Sequence, residues 1–524
     1  MKKFISFILF ISLVGLLAAC ASEPDPEPAE EGSEGENENS GGDGSLIVAV
    51  GSDATYLDPH MGTDIPSANV YHNRIFETLV IQDENMEFQP GLATEWERVD
   101  DLTWDFKLRD DVEFHDGEPF NAEAVKANLE RVTDEEFASP RADLFNMITE
   151  IDVVDEYDIK LTTEYPFSPL LANFAHYSGG MISPVAIEAD SSGDVLLNDN
   201  PVGTGPFSFD SWEPGDEIVL ERNDSYWNEP ANVDSVTFKV IAEGLTRISM
   251  VETGNAHIAE PINTNDIIQV EESENMYLYR SEGLGVDYIG FNTQKEPFDD
   301  KLVRQAISHA LDTETMIDHV YNGVGIYADG PIGPAVIGHN PDMQGLEHDL
   351  DKAKELLAEA GYPDGFETTI WTNDDQARMD AAEVAQYQLS EVGIDVSIEV
   401  LEWGAYLEGT STGEHDMFIL GWSNMTGDGD YNQYYLFHSD SVGSPGNRSF
   451  YENEEVDELI DEARRENDPD NRVDLYHQVQ EIEIEDAPMA LLRHTEYIAA
   501  VHNSVEGFWL HPSRIMMLND VVIE

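Results

Sequence analysis

Acid overwhelms base in this chain: 107 Asp and Glu stand against 26 Lys and Arg, a formal net charge of −81 at pH 7. That imbalance restricts the outcome before any motif is read. A surface so acidic repels nucleic-acid phosphate and anionic lipid alike, which excludes nucleic-acid partners. Its self-repulsion costs stability at low salt. At 1 M salt the Debye length falls to about 3 Å and the cost is relieved, so the composition predicts a protein facing a saline medium outside the cell. Hydrophobic residues still make up 41% and aromatic residues 10% of the 524 positions. The chain is therefore not disordered as a whole, and it is long enough for a large core divided among domains.

The N-terminus points the same way. Met1-Lys2-Lys3 is basic, residues 4–17 are apolar, and small residues lead into Cys20, the single cysteine. The apolar run is short for a membrane span and flanked like a secretory signal. A lone Cys forms no internal disulfide. The segment 1–20 resembles a bacterial lipoprotein signal, which implies a diacylglyceryl thioether on Cys20. Two acyl chains suffice for stable membrane anchoring. Residues 21–44, rich in Glu, Pro, Gly, Ser and Asn, cannot bury enough surface to fold and read as a self-repelling tether. No later apolar run approaches about 18 residues.

Beyond the tether, strand and helix patterns mix throughout. Residues 45–50 form a short apolar strand, and 69–80 show helical apolar spacing. Thr103 to Leu108 and Asp158 to Thr163 alternate like half-buried strands. Asn121 is placed to cap a helix running through Arg131. Further strands are expected at 207–209, 217–221, 236–241, 286–291, 368–371, 396–400 and 416–420. Helices are expected near 302–311, 351–360, 377–392, 455–466 and 472–485. No repeat of fixed period is present. The mixture predicts an α/β fold.

Several of these pieces, in order, resemble the family 5 extracellular solute-binding proteins of bacterial ABC importers. The stretch Trp104 to Gly117, followed by Pro119-Phe120-Asn121-Ala122-Glu123-Ala124-Val125, carries the resemblance. So do Leu57-Asp58-Pro59, Gly203-Thr204-Gly205-Pro206-Phe207, Gly290-Phe291-Asn292-Thr293, Val303-Arg304-Gln305-Ala306-Ile307 and Gly421-Trp422. The resemblance implies a periplasmic-binding-protein-like, class II architecture of two lobes with an additional inserted domain. Domain I would comprise 45–72, 201–283 and 500–524, domain II 73–200, and domain III 284–499. The ligand would lie between domains I and III, closing about a hinge near 283 and 500. The partners implied are a peptide ligand and ABC permease subunits; the protein would be a monomer without cofactor or metal, and not an enzyme.

Peptide capture needs counter-charges for an ammonium and a carboxylate. After Gly421-Trp422 the dipeptide-type spacing would place an Asp at 425, but Met425 stands there, and Asp428 and Asp430 follow. The form is similar to the glutathione-binding subgroup, and implies Asp428 or Asp430 near the ammonium. For the carboxylate, the resemblance points to Arg378, at the loop-to-helix junction after Trp371-Thr372-Asn373, where an Arg fork supplies bidentate geometry. Trp422 and Tyr56 are expected as apolar walls, Trp403 and Tyr406 less so. Arg304 is expected to make a structural ion pair, and Gly203 and Gly205 a tight backbone turn.

Other classes fit less well. Dipeptide, oligopeptide, nickel or haem binding would use the same scaffold, but the 15 His form no recognisable ligand cluster, and His60, His72 and His115 read as surface or structural residues. A secreted hydrolase is suggested by Gly409-Thr410-Ser411-Thr412-Gly413, yet a helix precedes this motif and a strand follows, the reverse of a nucleophile elbow. A calcium-dependent adhesin is suggested by Asp428, Asp430 and Asn432, but Gln433 and Ser439 replace the Gly and Glu of an EF-hand loop. The charge reading is open to measurement. The melting midpoint should rise steadily from low to molar salt; a midpoint flat across that series would remove the saline-medium reading.

Overall fold

The computed structural model describes residues 44–444 and 446–524. The expected signal with Cys20, and the tether as far as residue 43, lie outside the described residues. No helix among the described residues is long and apolar enough to cross a membrane.

One ten-stranded mixed sheet runs through most of the molecule. Its order is Asp395–Leu401, Glu367–Asn373, Met417–Ser423, Met276–Phe291, Met489–His502, Ile258–Glu260, Ser45–Val50, Ser235–Val240, Glu217–Arg222, Phe207–Glu213. A separate four-stranded antiparallel sheet holds Ala93–Arg98, Thr103–Leu108, Asp158–Thr163 and Ile148–Asp155. In Thr103–Leu108 the alternation does what it promises: Trp104, Phe106 and Leu108 all turn into the core. The Asn121 side chain accepts a hydrogen bond from Ala124 N at 3.1 Å and caps the helix Ala122–Thr133.

Three bodies of apolar packing hang on these sheets. Leu46, Val48, Phe207, Val236 and Phe238 mark lobe I, whose other sheet face buries Ala49, Ile248, Ala259 and Ala500. Phe291, Ile307, Leu357, Ile370 and Ile419 mark lobe III. Phe106, Phe120, Leu129, Phe145 and Phe174 mark an inserted lobe II.

The link between lobes I and III is the pair of long strands Met276–Phe291 and Met489–His502. Met276 to Glu282 pair with His502 to Glu496, and Val286 to Gly290 pair with His494 to Met489. Between these ladders Gly283, Leu284 and Gly285 face Thr495 alone, the wider of two irregularities; the second, between Asp287 and Tyr288, skips Leu492 within the lobe III half. Sequence alternation revealed only the second half of the first strand, because in its lobe I half the apolar residues Met276 to Tyr279 run consecutively, without the apolar–polar alternation of a half-buried strand.

The helix expected over 69–80 is shorter. Helix Ile65–Tyr71 stops before His72, which is extended, and Asn73 takes a positive φ of 55°. Ile75, Phe76 and Leu79 are nonetheless fully buried. Their spacing serves a loop enclosed on all sides, not a helix face. Gly203 and Gly205 explain the enclosure: a Cβ on either would lie 1.9 Å from Ile75 O or 2.0 Å from Arg74 O. The glycine turn is therefore a place where two backbones touch. Gly203→Ala should cost about 4 kcal/mol or more, beyond the ordinary range for one substitution, read as a drop in denaturant midpoint with unchanged slope.

Candidate functional site

Ligands in open α/β sheets bind beyond the carboxyl ends of parallel strands. In lobe III the parallel neighbours Glu367–Asn373 and Met417–Ser423 end at one edge, and Ser423 pairs with Gly285 beside the interrupted ladder. In lobe I Ser45–Val50 runs parallel to Ser235–Val240 and Ile258–Glu260. Beyond their ends lies a cavity of about 370 Å³. Its floor is apolar (Val70, Ile218, Phe238), and its rim carries Asn69, Arg247, Glu260 and Arg514. Arg514 Nε meets Glu260 Oε1 at 2.7 Å. Arg247 instead donates to the carbonyls of Ile241, Ala242 and Pro261. Pockets of this make-up, apolar with a few convergent polar groups, are where small ligands are held.

The lobes touch. Tyr177 OH of lobe II donates to Met425 Sδ of lobe III at 3.2 Å, and Arg141 donates to the Tyr177 oxygen and to Gly62 O. Tyr435 OH donates to Asp143 Oδ2 at 3.0 Å, and Ser168 N to Arg464 O at 2.9 Å. At this junction His72, His176, Tyr177, Met425, His511 and Ser513 enclose a void of only about 20 Å³, about one water. Burial pushes His72 down to about 3, His511 to about 4, and His176 well below the usual imidazole range. Nδ1 of His72 and Nε2 of His176 have no hydrogen-bond partner. The imidazoles are neutral, and the junction is shut too tightly to admit a solute without the lobes parting.

The structure gives Asp428 and Asp430 partners within the chain. Arg472 grips Asp428 with two bonds, Nη1 to Oδ2 at 2.7 Å and Nη2 to Oδ1 at 2.6 Å. Asp428 also caps the helix Gly429–Phe437 by accepting from Asp430 N. Arg464 Nε lies 2.9 Å from Asp430 Oδ1, and its guanidinium stacks 3.7 Å over the Tyr434 ring. Burial raises the Asp430 carboxyl, with Arg464 opposing. Both charges, expected for a ligand ammonium or a calcium ion, are thus matched by guanidinium, and the residue that faces the junction is Met425. The signal missed was pairing at long range: Arg464 and Arg472 flank a helix turn far along the chain.

Trp422 sits on the same loop. Its Nε1 donates to Tyr431 O at 3.1 Å, and its ring packs on Tyr431 and Tyr435 at 5.4 and 6.0 Å. Arg378 opens the helix Gln376–Ser390 capped by Asp375. Its Nη1 donates to Asn373 Oδ1 at 3.0 Å, its guanidinium lies 5.5 Å from the Trp403 ring, and no ion pair to a carboxylate forms among the described residues. Tyr56 is 42% exposed on lobe I; its backbone N–H donates to Ser67 Oγ, and no contact joins it to the others. Trp403 is equally exposed, whereas Tyr406 is buried and donates to Ile419 O. Arg304 caps the carbonyls of Phe298, Asp486 and Ala487 and makes no ion pair, a correction to its expected role. His60 and His72 are buried, not surface, residues. Ser411 ends the helix Trp403–Ser411 ahead of strand Met417–Ser423, so the hydrolase motif stays in reversed context.

Sequence reading missed the turn 510–516, which ties the site together. Leu510 O accepts from Ser281 Oγ and Pro512 O from Leu284 N, both on the first crossing strand. The same turn presents Arg514 to the lobe I cavity and His511 to the junction.

Comparison with known proteins agrees with this geometry. The family model "Bacterial extracellular solute-binding proteins, family 5 Middle" matches residues 87–444. The chain is 32% identical over 488 residues to the glutathione-binding protein GsiB of Escherichia coli K12, covering 91% of this chain and 94% of that protein. Among solved structures, HbpA2 from Haemophilus parasuis matches with a TM-score of 0.84 at 29% identity, covering 92% of this chain and 100% of that one. The periplasmic binding protein DppA from Helicobacter pylori, in complex with the peptide STSA, matches at 0.77 and 33%, covering 92% and 98%.

The neutral histidines set a pH dependence. His60 is held at about 4, also by burial, and with His72 and His511 it binds fewer protons when folded than at the unfolded value near 6.5. Stability rises with pH wherever the unfolded state binds more protons. Their contribution is therefore full above about pH 6.5 and is lost as pH falls toward 4. Urea unfolding from pH 7 to 4 should show a shallower loss in His72→Gln than in the parent, a difference of up to about 3 kcal/mol.

Proposed function

We infer the ligand and the working of this chain from one premise: it belongs to the bacterial extracellular solute-binding proteins of family 5, the extracytoplasmic receptors of ABC importers. Proteins of this kind capture and deliver a solute and do not transform it. The reading proposed is that a short peptide, most sharply glutathione, is enclosed between lobes I and III and handed to the permease. We keep the division into domain I (45–72, 201–283, 500–524), domain II (73–200) and domain III (284–499), whose last residues 496–499 pair with the lobe I half of the first crossing strand, with a lipid anchor at Cys20 and a monomeric state, as parts of this proposal.

The observation that carries it is the convergence of both lobes' parallel strand ends on either side of one interrupted two-strand link. Such a link absorbs a hinge rotation without unravelling either sheet. Ligand binding then shifts an open–closed equilibrium by the contacts made only when closed. Arg378, held by Asn373 and lacking a carboxylate of its own, is suited to take a ligand carboxylate. Trp422, Tyr431 and Tyr435 offer an apolar wall, and the Glu260–Arg514 rim offers one acceptor and one donor to a zwitterionic end. Tyr56 stands at the margin of lobe I. With Asp428 and Asp430 engaged by guanidiniums, their part is to brace the Trp422 loop.

Titration calorimetry with reduced glutathione and with dipeptides tests this. Glutathione should bind with release of heat, and Arg378→Ala should weaken binding by about 2–5 kcal/mol, the cost of truncating one partner of a buried charge pair. Equal affinity in the variant would remove Arg378 from the site, and absence of binding by any peptide would remove the ligand reading.

A further inference from the structure

We propose that residues 321–326 form a strap across the hinge that resists opening of the lobes. The segment belongs to lobe III by origin: it follows the helix Thr313–His319, and Tyr321 packs in the lobe III core. Yet Val324, 2% exposed, is inserted among Ile248, Ile262, Ile267 and Ile498 of lobe I. Asn322 Nδ2 donates to Asn265 Oδ1 of lobe I at 2.8 Å.

The strap lies over the level at which the crossing strands lose their pairing, and it is fastened on both sides of it. On the lobe I side Arg280 donates to Gly323 O and to Glu496 Oε2, and Glu496 Oε2 accepts from Gly325 N at 2.7 Å. On the lobe III side Arg493 donates to Val324 O and to Asp287 Oδ2 at 2.8 Å, with its guanidinium 3.5 Å from the Tyr321 ring. Ile326 and His494 exchange backbone bonds of 3.0 and 2.8 Å. The backbone has no slack: Gly325 has φ +126°, and a Cβ there would lie 2.6 Å from Arg493 Cδ.

A rotation at Gly283 to Gly285 moves Arg280 and Glu496 with lobe I, and Arg493 and Asp287 with lobe III. The strap is bonded to both sets, so opening must break one of them or withdraw Val324 from the lobe I core. Opening therefore works against the strap as well as against the contacts between the lobes. Closing restores both.

Small-angle X-ray scattering on the ligand-free full chain tests the strap and does not depend on the ligand's identity. Glu496→Gln should enlarge the radius of gyration relative to the parent, and Val324→Ala should do so further. Glu95→Gln, which removes an exposed ion pair on lobe II, should leave it unchanged. If reduced glutathione binds, its apparent affinity should fall about threefold in Glu496→Gln, because the competent closed state is less populated. Should Val324→Ala fail to fold, Glu496→Gln alone decides. Scattering in folded Glu496→Gln identical to the parent would overturn the strap and leave the solute-binding reading untouched.

Discussion

Two strands crossing from one lobe to the other hold the molecule together, and their interrupted pairing governs everything built around them. Met276–Phe291 and Met489–His502 are paired at both ends, where they belong to the sheet of each lobe, and unpaired where Gly283 to Gly285 oppose Thr495. A ladder continuous across that level would weld the lobes into one rigid sheet. The three-residue gap at Gly283 to Gly285 is what divides the ladder of one lobe from that of the other, and the parallel strand ends on either side are brought to it. The turn 510–516 and the segment 321–326 both fasten to the same link, through the adjacent residues Ser281 and Arg280.

Charge scarcity shapes the rest. With 26 basic residues for 107 acids, each guanidinium has many possible partners, so where it is spent is informative. Arg472 and Arg464 are committed to Asp428 and Asp430 beneath the Trp422 loop. Burying such pairs is costly unless the geometry is good, and breaking one leaves an uncompensated charge. Their worth here is that they fix the loop's course into the junction. Arg247, Arg304 and Arg448, all buried, cap backbone carbonyls. Arg378 is different: it stays beside Asn373 and Trp403, away from any carboxylate of the described residues.

Much of the architecture was legible because local pattern and burial agreed. The alternation of Trp104, Phe106 and Leu108, the Asn121 cap and the helices after Asp300 and Asp349 all depend on neighbours within a few residues. Local pattern failed where burial came from elsewhere. The apolar spacing of Ile75, Phe76 and Leu79 suggested a helix, but Gly203 and Gly205 press against that loop from a distant segment and satisfy its backbone there. The lobe I half of the first crossing strand was invisible because its apolar residues, Met276 to Tyr279, run together without alternation. The site followed the same division. Trp422 and Arg378 were singled out in the sequence by the strand ends beside them, whereas Arg141, Tyr177, His511 and Arg514 arrive from three separate stretches of chain.

From the sequence alone came the α/β class, the order of most elements and the family, because short-range periodicity and motif order encode them. Only the tertiary structure decided which charges are free. Asp428 and Asp430 look unpaired on paper, but in the fold Arg472 and Arg464, 44 and 34 residues further along the chain, lie against them. A carboxylate's role depends on what lies within a few ångströms of it, and that distance is fixed by packing, not by position in the chain.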